Sequence, residues 1–307
     1  GMIGSWTDGR PEEPACCLCG SADRRVLLEE RLGGHVFGIV ECRRCGLAYS
    51  CPRPSAEMQQ ALHTPALRNA LVDAGLIAER HRIPAEQPAV FARESQEASV
   101  ANYRRGLALL GRETTPGRLL DVGCAVGLFV RMAGEAGWEA VGCDVEANAV
   151  AHGRETLGLD LRRGRLEEIG FPASRFDAIT LWNVIEHLND PLATLREARR
   201  VLAPNGTLLI ETPSFAARRV LCRLGLRGDP DRYLRISFEH LYHLTPRTLA
   251  AMLRRAAFGD VALHTINDHG DRRLRARLRC SAARTLAALT MRRVNLHTPI
   301  LATAGAA

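Results

Sequence analysis

Apolar residues in this chain fall into short runs separated by stretches of helical periodicity. Leu119, Leu120 and Val122 form a run of the kind that predicts a strand buried on both faces of a sheet. Gly123, Ala125 and Gly127 follow as small residues that permit a tight turn and a close approach to the backbone. A helix is expected from about Leu128 to Ala136, stopped at Gly137. The cycle then repeats. Ala140 to Cys143 reads as a second strand with Asp144 at its carboxyl end, Phe176 to Leu181 as another, and Asn189-Asp190-Pro191 as a helix start with a cap and a first-turn proline. Pro204-Asn205-Gly206 predicts a turn ahead of a strand at Thr207 to Glu211. Such alternation predicts an α/β fold with a doubly wound sheet. A helix from Pro246 to Ala257, a strand from Val261 to Ile266 and a last, antiparallel strand from Ile300 to Ala304 complete the series.

The amino-terminal part reads differently. Val26 to Leu28 and His35 to Val40 look like the strands of a hairpin, and Ser55 to Leu110 reads as mostly helical with breaks near Pro65, Pro84 and Pro88. The last of these helices is expected to end before Gly111, with Gly111 to Gly117 as a linker. Three regions are therefore expected: a small hairpin module over 1–54, a helical cap over 55–111 and the sheet domain over 112–307. Within the last, Pro213 to Ile236 breaks the alternation with Arg, Gly and Pro and predicts a lid or substrate loop.

The hairpin carries two knuckles, Cys16-x-x-Cys19 and Cys42-x-x-Cys45-Gly46. Four thiolates at this spacing suit a tetrahedral zinc ion, and a site with every position filled by protein is structural rather than catalytic. Disulfides are the competing account. No secretory leader is visible ahead of the knuckles, and a reducing cytoplasmic location, the expected one, disfavours disulfides. Cys17 replaces Cys16 only by spoiling the two-residue spacing, and the remaining cysteines show no pairing pattern.

Composition adds one point. The chain has 307 residues, 46% apolar and 24% charged, with a formal charge of +7. That is an ordinary balance for a globular protein, and no apolar run reaches the ~18 residues needed to span a bilayer. The excess charge is local: residues 271–293 hold eight Arg against Asp271 alone, and the rest of the chain balances. Leu274, Leu278, Ala282, Leu286 and Leu289 place an apolar seam along the same segment, so an amphipathic helix is expected between the final two strands. Its Arg face is either simply solvated or a surface for an anionic substrate, such as a sugar diphosphate or polyprenyl phosphate, or for acidic headgroups at a membrane surface.

The glycine turn by itself is open to three readings: a tight connection with no ligand, a dinucleotide site, or another nucleotide site. Leu128 stands where a dinucleotide site needs a third glycine. Asp144 follows Asp121 by 23 residues, near the offset of an acid that accepts ribose hydroxyls. The segments RLLDVGCAVG, AVGCD, FDAITLWNVIEHLNDP, RVLAPNGTLLIETP and FEHLYHLTPRTL, between about Gly117 and Phe258, resemble the class I S-adenosylmethionine-dependent methyltransferases. More narrowly, they resemble the branch with ubiquinone-biosynthesis and sugar or natural-product enzymes. The resemblance implies a seven-stranded Rossmann-like sheet. It also implies that Asp121, Gly123, Ala125 and Gly127 hold the methionine end of the cofactor, that Asp144 with Val145 holds the ribose side, that Leu166 and Glu167 line the adenine edge, and that Trp182 and Asn183 flank the methyl group. Two positions depart from the pattern: Ala125 replaces a middle glycine, and Arg165 stands where many relatives have an Asp for the adenine amine. The run from Cys45 to Pro54 resembles the zinc-knuckle exit of some sugar and cell-surface-glycan methyltransferases, which implies a small-molecule or glycan acceptor.

Methyl transfer from a sulfonium is an in-line displacement, and a hydroxyl acceptor also profits from a general base, for which His is suited. His240 in FEHLYHL is the first candidate and His187 in IEHL the second. Two other functions compete. An rRNA methyltransferase with a zinc ribbon is one, against which stand the balanced charge and the absence of an Asn-Pro-Pro-aromatic sequence after the fourth strand, where Trp182-Asn183-Val184-Ile185 is found. A non-catalytic cofactor-binding scaffold is the other.

Overall fold

The computed structural model describes residues 10–32, 35–62, 64–74, 82, 97–216, 240–265 and 300–306. The predicted lid beyond Ala216, the Arg-rich segment and the breaks near Pro84 and Pro88 lie outside these residues. In chain order the elements are β1 (Arg24–Leu32), β2 (His35–Cys42), β3 (Ala48–Ser50), α1 (Ala56–Leu62), α2 (Pro65–Asp73), α3 (Glu97–Glu113), β4 (Arg118–Val122), α4 (Leu128–Glu135), β5 (Glu139–Asp144) and α5 (Ala147–Glu155). They continue with β6 (Leu161–Arg163), α6 (Leu166–Ile169), β7 (Phe176–Trp182), α7 (Pro191–Val201), β8 (Leu202–Thr212), β9 (Tyr242–His243), α8 (Pro246–Arg255), β10 (Phe258–Thr265) and β11 (Ile300–Ala306). Two compact units result: residues 1–89 with 215–248, and residues 90–214 with 249–307.

The second unit holds a seven-stranded sheet in the order β10-β11-β8-β7-β4-β5-β6. β8, β7, β4, β5 and β6 run parallel, and β11 is antiparallel to both of its neighbours, as expected of the last strand. The expected doubly wound α/β fold is therefore present. Its apolar runs are continuous because the central strands are buried: Leu119, Leu120, Ala178, Ile179 and Leu209 are each fully buried. Helix α3 covers one face of the sheet. Tyr103 meets Trp182 edge-on at 4.9 Å and Phe129 at 5.2 Å. Gly106 is what allows this approach, since a Cβ there would lie 2.3 Å from the Trp182 ring. The helix runs on to Glu113 rather than stopping before Gly111, because nothing crowds Gly111 and Thr114 N–H still donates to the Leu110 carbonyl at 2.8 Å. Asp190 caps α7 as predicted, its carboxylate accepting from Ala193 N–H at 3.0 Å with Pro191 behind it. The turn expected at Pro204-Asn205-Gly206 is absorbed into β8, where Asn205 takes φ 62° and the register against β7 slips between Phe176 and Ala178.

The first unit is built on a four-stranded antiparallel sheet, β1-β2-β3-β9. The predicted hairpin is β1 with β2, paired from Arg24 opposite Cys42 to Leu32 opposite His35. β9 was not legible in the sequence. After β8 the chain returns to this unit, and Tyr242 and His243 pair with Tyr49 and Ala48. Ser50 fixes the return twice, its N–H donating to the Leu241 carbonyl at 2.8 Å and its hydroxyl to the His240 carbonyl at 3.0 Å. Phe215 packs with Ile39 and Ala48, and its N–H donates to the Leu244 carbonyl at 2.7 Å. Buried Arg53 holds Glu12 through Nε at 3.2 Å and Nη2 at 3.1 Å, and donates from Nη1 to the Tyr242 hydroxyl at 3.4 Å. Thr245 and Thr248 then start α8 by mutual capping, each hydroxyl accepting the other's N–H, at 2.9 and 3.2 Å.

Candidate functional site

The tip of β4 and the tip of β5 form one structure. Past Val122 the chain turns through Gly123, Ala125 and Gly127 at φ 72°, 49° and 87°. Such values suit glycine and strain Ala125. Gly123 and Cys124 N–H both donate to the Cys143 carbonyl, at 2.7 and 3.1 Å. Asp144 then closes the arrangement: one carboxylate oxygen accepts from Ala125 N–H and the other from Glu146 N–H, both at 2.8 Å. A Cβ at Gly123 would sit 2.4 Å from Val184, and one at Gly127 would sit 2.7 Å from Leu159. The turn therefore has room for backbone and none for side chains. Val145, beside the acid, is 60% exposed, an apolar surface that a bound ring would cover. A carboxylate against a backbone cradle with an apolar shelf fits an adenosyl ligand. Leu166 and Glu167 lie apart in character: Leu166 is buried, whereas Glu167 is exposed and accepts a hydrogen bond from the Thr194 hydroxyl.

Three buried carboxyl groups lie in the same unit. Asp121 is 2% exposed, and burial pushes its carboxyl up from 3.8 to about 8; the 2.6 Å bond from the Thr180 hydroxyl opposes this and nearby Asp144 adds to it. Glu186 and Glu211 are pushed up from 4.5 to about 7, in both cases by burial first. Each group stays protonated in the folded chain at pH values where the unfolded chain has already lost the proton. Stability of the cofactor-free protein is therefore expected to fall as pH rises from about 4 to about 8, with Asp121 carrying the larger share above about 7. Asp121→Asn should cut the fall between pH 7 and 8 in denaturant midpoints by roughly half, and an unaltered slope would contradict this account. The sequence does not single out the two glutamates. Glu211 ends an apolar strand and Glu186 follows one, and nothing in their local pattern announces that both are buried.

The four predicted metal ligands converge in the first unit. Their sulfurs all lie within 4.8 Å of one another, with Cys16 to Cys45 at 3.4 Å and Cys19 to Cys42 at 3.5 Å. A zinc ion with ~2.3 Å bonds sets tetrahedral edges of ~3.8 Å, close to these separations. Gly20 and Gly46, at φ 73° and 78°, close the two knuckles, their N–H groups donating to the Cys16 and Cys42 carbonyls at 2.7 and 2.9 Å. Burial pushes the Cys16 thiol up to about 12, so a thiolate there requires the positive charge that a metal supplies. The cysteines fit structural zinc. No helix among the described residues is long and apolar enough to cross a membrane.

The two histidine candidates belong to different units. His187 follows β7, with Nε2 at 4.0 Å from a carboxylate oxygen of Glu186, and His240 precedes β9. Asn183, at φ 53°, ends β7 with its N–H donating to the Glu211 carbonyl at 2.8 Å.

The model of a methyltransferase domain family matches residues 92–263. A ubiquinone biosynthesis O-methyltransferase of Cereibacter sphaeroides is 30% identical over 154 residues, covering 47% of this chain and 61% of that protein. A probable S-adenosylmethionine-dependent methyltransferase of Mycolicibacterium smegmatis is 33% identical over 141 residues, covering 46% of this chain and 51% of that protein. The chain thus spans about half to three-fifths of these relatives. In fold it is similar to Haemonchus contortus phosphoethanolamine N-methyltransferase 2, with a TM-score of 0.52 at 14% identity over 91% of this chain and 70% of that one. With a strand order, a glycine turn and a family match that agree, the chain belongs to the S-adenosylmethionine-dependent methyltransferase-domain family.

Proposed function

We propose that this protein transfers a methyl group from S-adenosylmethionine to a hydroxyl or amine of a small molecule, with a sugar nucleotide or other glycan precursor as the acceptor class. The observation that carries the reading is the clasp of Asp144 on the glycine-turn backbone, which joins the tips of β4 and β5 into one ligand cradle. In this reading Asp121, Gly123, Ala125 and Gly127 seat the methionine end, Asp144 and Val145 the ribose side, Leu166 and Glu167 the adenine edge, and Asn183 flanks the methyl group. The cofactor, when bound, supplies a methyl already activated on sulfur, so the protein's task is alignment and exclusion of water. The relatives named for ubiquinone biosynthesis O-methylation support a hydroxyl acceptor. The same reading divides the chain into a zinc ribbon over 1–54, a helical cap over 55–111 and a methyltransferase domain over 112–307 with a lid over 213–236, places it in the cytoplasm, and makes the Arg-rich segment over 271–293 a contact for anionic or lipid-linked acceptors.

Calorimetry with S-adenosylmethionine, followed by release of S-adenosylhomocysteine over a panel of sugar nucleotides, lipid-linked sugars and rRNA, tests the reading. Turnover with a sugar nucleotide is expected. Turnover confined to RNA establishes the RNA alternative, and cofactor binding with no turnover on any acceptor favours a scaffold. His240→Ala is expected to lower kcat by about a hundredfold, the size of a lost general base, with cofactor affinity unchanged; undiminished turnover transfers the role to His187.

A further inference from the structure

Glu211 stands at the carboxyl tip of β8, and no step of the proposed reaction uses it. It pairs in register with Trp182, the residue before Asn183. Val122 pairs with Leu181 and Leu181 with Ile210, so Glu211 is level with Gly123 and two strands away, about 10 Å across the sheet at ~4.8 Å per strand. The residue is 3% exposed. One carboxyl oxygen accepts from Asn102 Nδ2 on α3 at 3.0 Å and from Asn183 Nδ2 at 3.5 Å. The other is buried with no hydrogen-bond partner.

The surroundings answer only part of its charge. From α3, Arg105 reaches the Asn102 side chain at 3.3 Å and, from a distance, pulls the pKa of Glu211 down against the larger effect of burial. From the segment after β7, Glu186 adds negative charge, with one oxygen taken by the Thr212 hydroxyl at 2.8 Å. From β11, Leu301 is the register partner and offers only apolar atoms. A carboxyl group clamped on one oxygen and left open on the other, at the tip that flanks the methyl position, is arranged to respond to a positive charge brought by a ligand.

We propose that Glu211 is the counter-charge to the sulfonium of bound S-adenosylmethionine, and that it discriminates this cation from the uncharged sulfur of S-adenosylhomocysteine. The inference rests on the cofactor reading above. Loss of the methyl group removes the positive charge, and the carboxylate then favours exchange of product for fresh cofactor. Burial holds the group near neutrality, at about 7, so the discrimination is strongest on the alkaline side.

The test is calorimetry of the full chain with S-adenosylmethionine and S-adenosylhomocysteine, at pH 6 and pH 8, in buffers of different ionisation enthalpy. Wild type should prefer the sulfonium more at pH 8 than at pH 6, by about fivefold for a one-unit coupling, and should release more protons on binding it than on binding the product. Glu211→Gln should lose that preference through weaker sulfonium binding, with product affinity within about twofold, and Glu211→Asp should restore part of it. Parallel loss of both ligands, or an unchanged ratio in Glu211→Gln, overturns the proposal. Should that variant fail to fold, equal proton release for the two ligands in wild type overturns it equally well. Failure of wild type to bind either ligand sinks the cofactor reading itself, a result distinct from binding without discrimination.

Discussion

Asp144→Asn is expected to weaken S-adenosylmethionine binding by about a thousandfold, the loss of two charge-assisted hydrogen bonds at roughly 1.5–3 kcal/mol each. In the proposed reading the carboxylate has two tasks in one place. Its oxygens already accept from Ala125 and Glu146 N–H at 2.8 Å, which holds the glycine turn against β5, and carboxylate oxygens can each accept more than one bond. An amide supplies a single acceptor and turns an NH2 group toward one of the two backbone donors. The turn loosens and the ribose hydroxyls lose their partner together. Calorimetry with cofactor and product measures the effect; affinity within threefold of wild type for both would show that the cradle lies elsewhere.

Stripping the metal, by chelation or by Cys42→Ser, is expected to unfold the first unit. Structural zinc supplies apparent binding energies of about 10–16 kcal/mol, as large as the whole stability of a typical domain at about 5–15 kcal/mol. Two of the four strands of its sheet are short, β3 with three residues and β9 with two, so the described sheet leans on the metal knuckles. Mass spectrometry should find one zinc ion per chain, and limited proteolysis after chelation should cut within residues 10–55. The Asp144 carboxylate accepts from Ala125 and Glu146 N–H, both in the second unit, so cofactor affinity should stay within roughly threefold. Resistance to proteolysis with no metal bound would contradict a zinc-dependent fold.

Legibility followed locality. β4, β5, β7 and β8 could be read because strands covered on both faces must be apolar at successive positions, and Leu119-Leu120 or Leu208-Leu209-Ile210 are. Asp190-Pro191 and the paired Cys-x-x-Cys knuckles could be read because a cap and a metal site are written in adjacent residues. β9 could not, because two residues carry no periodicity, and Tyr242-His243 is extended only where β3 offers an edge. Glu211 reads in the sequence only as the end of a strand; its clamp comes from Asn102, 109 residues earlier. Asp144 is legible as an acid near a ligand, while its grip on Ala125 N–H depends on a turn geometry that no local pattern encodes.

The bond between Ser50 and His240 spans 190 positions. At ribosomal rates of roughly 5–20 residues per second, the outer edge of β3 therefore waits about 10–40 s for its partner strand to be made. For that interval the nascent hairpin presents open amide and carbonyl groups to any neighbouring chain, and early capture of zinc at the four thiols adds a stabilising event beyond its own strand pairing. Metal starvation during synthesis, rather than after it, is then the moment at which this protein is most exposed to misassembly.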